Sequence, residues 1–256
     1  MPFANNKGIK IHYVVEGQGP PIVMLHGGPG SHHEWYACNH VNSLKDKYQL
    51  ILVDLRGNGQ SDKPYDSKSY LTKCFTSDIN AVLDDLKVDK AHCWGYSLGG
   101  FLTFCLSRDY PERFLSYIIG GAHPQGLTKE VLENKNSARE KLKEGADGLI
   151  AHLKERGEEV TPDQEKGIRA MDFKAINAFV NSEDLFCKVD EHLPELDEPF
   201  LFYAGEEDEW NPYPYLDETS KKMKNAKTIL FEKKGHNVQF IPGLVLPHVI
   251  EFLERF

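Results

Sequence analysis

Short apolar runs alternate along the chain with longer stretches of helical spacing. "IKIHYVVEG" (9–17), "PIVMLHG" (21–27), "QLILVDL" (49–55), "AHCWGYS" (91–97) and "FLSYIIGG" (114–121) read as strands. The inner runs are apolar at successive rather than alternate positions, which predicts strands buried on both faces in a mostly parallel sheet covered by helices. Between them, Trp35–Lys47, Leu71–Leu86 and Leu98–Tyr110 have helical spacing. In the second, Asp78, Ile79, Val82, Leu83 and Leu86 sort into a polar and an apolar side. The alternation predicts most of a doubly wound α/β domain before residue 122.

The pattern then changes. Leu127–His192 is rich in Glu, Lys and Asp, and its periodic stretches, "EKLKEGADGLIAHLKERG" and "PDQEKGIRAMDFKAINAFV", predict helices without a strand. The α/β pattern returns with "PFLFYAGEED", a helix near Tyr215–Met223, the strand "KTILFEKKG" and the closing helix "LVLPHVIEFLERF". The expected organisation is a core of residues 1–121 and 195–256, with residues 122–194 as a helical cap at the sheet's C-terminal edge. No internal repeat or low-complexity linker interrupts it.

A length of 256 residues suits one catalytic domain with an insertion. Thirty basic against thirty-nine acidic residues give a net charge of −9, which argues against affinity for nucleic acid or an anionic membrane surface. The N-terminal stretch has no apolar segment behind a basic one, and no run approaches the roughly 20 apolar residues of a spanning helix, so a cytoplasmic protein without membrane insertion is expected. The five cysteines, Cys38, Cys74, Cys93, Cys105 and Cys187, include no C-x-x-C pair, which disfavours a disulfide framework and a thiolate zinc site. The adjacent His32 and His33 lack a nearby third ligand and read as a polar loop, so no metal is expected.

In an open α/β sheet, reactive side chains gather on the loops leaving the carboxyl ends of the strands. After "PIVMLHG", the run His26-Gly27-Gly28-Pro29-Gly30 lets main-chain N–H groups approach a substrate oxygen. After "AHCWGYS", Gly95 and Gly99 flank Ser97 in a G-x-S-x-G pattern where strand gives way to helix. The helix dipole and the free amide of Leu98 would there favour an anionic oxygen. A serine hydroxyl needs a base, and the base needs an acceptor that fixes its tautomer. His236, in "KKGHNVQF", stands after the last strand and before the closing helix. "PFLFYAG" leads into Glu206, Glu207, Asp208 and Glu209, and spacing favours Asp208, three residues beyond Gly205. The chain order Ser97, Asp208, His236 results.

Several signatures coincide: "HGGPG", "DLRGNGQSDKP" (54–64), "GYSLGG", "AGEED" and "GH". On these motifs the chain resembles the α/β-hydrolase fold superfamily, as a serine-nucleophile, esterase-like member, over nearly its whole length apart from the cap. The resemblance implies an eight-stranded, mostly parallel sheet flanked by helices, with a small helical cap after strand 6. It also implies Gly28 and Leu98 as main-chain oxyanion donors, and a turn-stabilising ion pair at Asp54 and Arg56. The activity it implies is hydrolysis of small carboxylic esters, thioesters or lactones through an acyl-enzyme, with no cofactor and a small-molecule partner.

Ser97 argues against the aspartate nucleophile of epoxide hydrolases and haloalkane dehalogenases. "HGGPG" also occurs in proline iminopeptidase-like members, whose elbow usually reads G-G-S-W-G. That reading, carbon–carbon bond hydrolysis and a small-molecule receptor with incidental turnover remain as alternatives. Trp35, Tyr96, His123, Met171, Phe173 and Trp210 are candidates for the substrate pocket. Either a monomer or a homodimer is compatible with the sequence.

Overall fold

The strands run β1 (Phe3–Asn6), β2 (Ile9–Glu16), β3 (Pro21–Leu25), β4 (Gln49–Val53), β5 (Ala91–Tyr96), β6 (Phe114–Gly120), β7 (Phe200–Gly205) and β8 (Ala226–Phe231) in a computed structural model that describes residues 2–126, 140–155, 160–241 and 243–256. They form one eight-stranded sheet in the order β1-β2-β4-β3-β5-β6-β7-β8. β1 and β2 pair antiparallel, as do β2 and β4; the other neighbours are parallel. Every residue of β5 and β7 is buried, as a strand covered on both faces requires. β1 ("FANN") has no apolar run to announce it and forms by pairing with β2.

Helices α3 (Thr72–Asp85) and α4 (Leu98–Asp109) lie within a residue of the predicted stretches. The stretch predicted as one helix over Trp35–Lys47 is instead two short ones, α1 (His33–Ala37) and α2 (His40–Leu44). Asn39 breaks them apart with φ of 60°, a conformation asparagine tolerates better than most residues. On the sheet face covered by these helices, Trp35 stacks near Trp94, with ring centroids 5.0 Å apart, in a core that includes Met24, Leu52 and Ile118.

The chain divides into two compact units, one of residues 1–62, 72–126 and 186–256, the other of 63–71 and 127–185. The first carries the whole sheet, with α8 (Tyr213–Lys222) and α9 (Leu246–Leu253). The second contains α5 (Gly145–Glu155), α6 (Pro162–Arg169) and α7 (Phe173–Val180). Two of its helices begin where polar side chains cap them. Thr161 and Gln164 form a capping box on α6, and Asp172 accepts the Lys174 and Ala175 amides at 3.1 Å to open α7. Those caps turn one periodic run into two helices.

The unit boundaries differ from the sequence expectation of 122–194. Residues 122–126 and 186–194 pack with the sheet: the Val189 amide donates to the Pro124 carbonyl at 2.8 Å, and the rings of Phe101 and Phe186 lie 4.9 Å apart. Residues 63–71 join the helical unit, where Ser182 Oγ donates to the Tyr70 carbonyl at 2.8 Å and Tyr65 to Asp172 at 3.0 Å. Among the described residues no helix is long and apolar enough to cross a membrane. The five cysteines are free thiols, with Cys38, Cys93 and Cys105 buried and Cys74 and Cys187 partly exposed.

Asp54 and Arg56 do not pair with one another as expected. Arg56 makes a two-pronged, buried ion pair with Asp78 of α3, both contacts at 2.6 Å. Asp54 receives His12 and His32 at 2.9 Å each and the main-chain amides of His32 and Gln60. Burial raises the Asp54 carboxyl, but the amide and His32 bonds outweigh it and leave the group below its ordinary value. The ligand-type atoms of His12, His32 and Asp54 lie within 4.8 Å of one another, and hydrogen bonding accounts for that closeness.

Candidate active site

Ser97 stands between the last residue of β5 and the first of α4 with φ of 53° and ψ of −113°, a strained backbone for any residue with a Cβ. The turn is held from three sides. The Ser97 amide donates to the Gly120 carbonyl at 2.8 Å, the Gly99 amide to His26 at 3.2 Å, and the Phe101 amide to Ser97 at 2.9 Å. A Cβ on Gly95 would overlap the Gly99 carbonyl, and one on Gly99 the Leu25 carbonyl, so strand and helix reach this separation only with glycine at both positions.

Ser97 Oγ lies 3.0 Å from His236 Nε2, and His236 Nδ1 lies 2.7 Å from Asp208 Oδ2. Asp208 follows β7 and is 3% exposed. Its Oδ1 accepts the Trp210 and Asn211 amides at 2.9 Å each, which directs Oδ2 toward the imidazole. An ionised carboxylate only accepts, so the proton sits on Nδ1 and the Nε2 lone pair faces the serine hydroxyl. Of the other carboxylates considered, Glu206 accepts the Lys233 amide at 2.9 Å, while Glu207 and Glu209 are exposed.

Two devices that the sequence did not announce hold the histidine segment. The Tyr96 ring lies 5.4 Å from the imidazole centroid, and its hydroxyl donates to the His236 carbonyl; burial raises the phenol far above its ordinary value. In the core, Trp94 Nε1 donates to the Tyr203 hydroxyl at 3.0 Å, and that hydroxyl donates to Gln239 Oε1. The chain Trp94–Tyr203–Gln239 therefore ties β5, β7 and the turn His236–Phe240 together, the three elements that deliver Ser97, Asp208 and His236.

The amides of Gly28 and Leu98 have no protein acceptor among the described residues. Their segments touch, since a Cβ on Gly28 would lie 2.9 Å from Leu98 Cδ2. His26 orients the first amide. Its Nε2 accepts the Leu55 amide at 3.1 Å, so its Nδ1–H donates to the Gly27 carbonyl at 2.6 Å, and that carbonyl belongs to the same peptide plane as the Gly28 N–H. Burial lowers the His26 imidazole to about 4, which keeps it in the neutral form this pattern needs.

The other pocket candidates fare unevenly. Trp35, 1% exposed, belongs to the hydrophobic core. His123 is buried with its ring 5.0 Å from that of Tyr215, and half-buried Trp210 contributes its amide to Asp208. Met171 and Phe173 lie in the helical unit, where the Met171 amide donates to Ile168 at 3.1 Å and Phe173 opens α7.

Residues 20–168 match the model of the alpha/beta hydrolase fold family. The chain belongs to that family. It is 34% identical over 133 residues to epoxide hydrolase 4 of Mus musculus, a match spanning half of this chain but only 36% of that protein. Over 95% of both chains it is 26% identical to a putative 2-succinyl-6-hydroxy-2,4-cyclohexadiene-1-carboxylate synthase of Bacillus subtilis. The structure of a thermophilic esterase from Thermogutta terrifontis superposes with a TM-score of 0.81 at 21% identity, covering 99% of this chain and 98% of that one, and shares its fold.

Proposed function

We propose that this protein is a serine hydrolase that cleaves small carboxylic esters, thioesters or lactones through an acyl-enzyme on Ser97. The observation that carries the reading is the unbroken line from Ser97 Oγ through His236 to Asp208, at 3.0 and 2.7 Å, beside two amides without acceptors among the described residues. Ser97 attacks the substrate carbonyl while His236 Nε2 takes its proton. The Gly28 and Leu98 amides hold the developing oxyanion, and Asp208 stabilises the imidazolium. His236 then protonates the leaving group, and a water deprotonated by the same nitrogen releases the acyl group and regenerates the serine.

Ser97 at the elbow favours this chemistry over that of an aspartate nucleophile, and the chain needs no cofactor to complete the cycle. The test is a panel of phenyl esters of rising acyl length beside a prolyl-arylamide, run with wild type, Ser97→Ala and His236→Ala. A fluorophosphonate probe labels the nucleophile in parallel. Turnover of short esters with loss of at least a thousandfold in both variants is expected, with labelling confined to Ser97. Preference for the amide would replace the esterase by an aminopeptidase; negligible turnover with stoichiometric labelling would favour a receptor.

A further inference from the structure

The loop that carries Gly28 is closed by a carboxylate the reaction above does not use. Glu34, the second residue of α1, reaches back so that its Oε2 accepts the Gly27 amide at 3.1 Å, and the Ser31 amide also donates to it. The Ser31 bond is a local contact across the turn before α1, whose N-cap is His32. The Gly27 bond is not explained by capping, because it reaches seven residues back into the strand exit. Gly30 has no side chain where Glu34 needs room, since a Cβ there would overlap Oε1. Gly27 is consequently pinned on both sides, its carbonyl by His26 and its N–H by Glu34. Its carbonyl shares a peptide plane with the Gly28 amide.

Glu34 also stands close to the nucleophile. A Cβ built on Gly27 would lie 3.4 Å from Ser97 Cβ and 3.7 Å from Glu34 Oε2. The carboxyl group is half-buried, and it makes no ion pair among the described residues. We propose that Glu34 is a positioning residue for the oxyanion loop, whose hydrogen bond sets the Gly27–Gly28 peptide and whose negative charge, once formed, slows attack by Ser97. This inference rests on the proposed acyl-transfer reading.

The charge matters because the transition state places a second negative charge on the other side of Gly27. At an effective dielectric near 20, like charges within about 12 Å of one another slow the step by at least about tenfold. Burial raises the Glu34 carboxyl to about 7, so it is neutral on the acid side of pH 7 and ionised above. Of the titratable groups facing it, Cys38, raised to about 12 by burial, Tyr96, raised higher, and His26 behind Gly27, lowered to about 4, hold one charge state across that range.

The test measures kcat and KM for a phenyl ester from pH 6 to 9 with wild type, Glu34→Gln and Glu34→Ala. Wild-type kcat is expected to fall at least about tenfold as pH rises through 7. Glu34→Gln keeps an acceptor for the Gly27 amide and carries no charge, so its fall is expected to be less than twofold. Glu34→Ala removes the acceptor, and its kcat is expected to stay at least tenfold below the best wild-type value at every pH, with KM within threefold. The rate of fluorophosphonate labelling of wild type needs no variant and is expected to fall across the same range. Superimposable wild-type and Gln profiles, or a wild type with no alkaline fall, would overturn the role of Glu34. Undiminished turnover in Ser97→Ala would instead overturn the acyl-enzyme reading, whatever Glu34 does.

Discussion

Asp208 accepts three hydrogen bonds that no neighbouring carboxylate in its loop shares, two from main-chain amides and one from His236. An asparagine there can keep the amide contacts or present an oxygen to the imidazole, but its NH2 group must then point at a donor. Asp208→Asn is therefore expected to lower kcat by about 10³- to 10⁴-fold, by favouring the wrong imidazole tautomer. Glu207→Gln and Glu209→Gln, both on exposed side chains, are expected to stay within twofold. Esterase kinetics on the three variants check the ranking, and the reverse order would name a different acid. Ser97, Asp208 and His236 are legible in the sequence because each sits at a strand exit whose glycines advertise a tight turn. Glu34 is not, because its partner is an amide seven residues away and its own position looks like one more turn of helix. The partner of Arg56 is not legible for a related reason: Asp78 lies 22 residues on, in α3, and only the fold brings the two together.

At the level of elements, the apolar runs identify every strand except β1 and β7–β8 differ from expectation only at their ends, since burial on both faces writes a continuous signal into the sequence. What periodicity does not register is a single residue that stops a helix. Asn39, Asp172 and the Thr161 cap each split or start a helix through one side chain or one φ angle. Nor does it register segment 63–71, whose place in the helical unit depends on bonds to residues more than a hundred positions away. The Trp94–Tyr203–Gln239 chain belongs to this scale because it joins three elements rather than completing any one. Tyr203→Phe removes the shared hydroxyl and leaves a buried indole N–H and a buried amide oxygen without partners. It is expected to cost about 1–3 kcal/mol in urea unfolding. Because Gln239 lies three residues past His236, the same variant is expected to lower kcat severalfold with KM little changed, whereas a purely structural hydroxyl would leave kcat intact in the folded fraction.

For the whole molecule, the buried ionisable groups set how stability depends on pH, and they act in opposite senses. Burial lowers His26 and His40 to about 4 each, and both ring nitrogens of His40 lack hydrogen-bond partners among the described residues. A histidine with a depressed folded pKa stabilises the native state fully above its unfolded value of about 6.5 and loses that contribution as pH falls toward 4. Between pH 7 and 5 each of the two loses roughly 2 kcal/mol. Glu34 runs the other way: its folded pKa is raised to about 7, so the native state suffers from its ionisation at pH 7 and regains about 2 kcal/mol on acidification to pH 5. For these three groups together the expectation is a loss of about 2 kcal/mol over that interval, a sizeable part of the ~5–15 kcal/mol that holds a typical domain folded. Two substitutions separate the contributions. His40→Leu removes one titrating histidine from beside Trp35 and Trp94 and is expected to lessen the loss between pH 7 and 5 by about 2 kcal/mol. Glu34→Gln removes the compensating carboxyl and is expected to deepen the loss to about 4 kcal/mol. Urea midpoints at the two pH values, with the slope of unfolding held constant, decide the matter. If both variants shift the pH dependence in the same direction, the opposed titration of histidine and glutamate is not what shapes the stability of this fold.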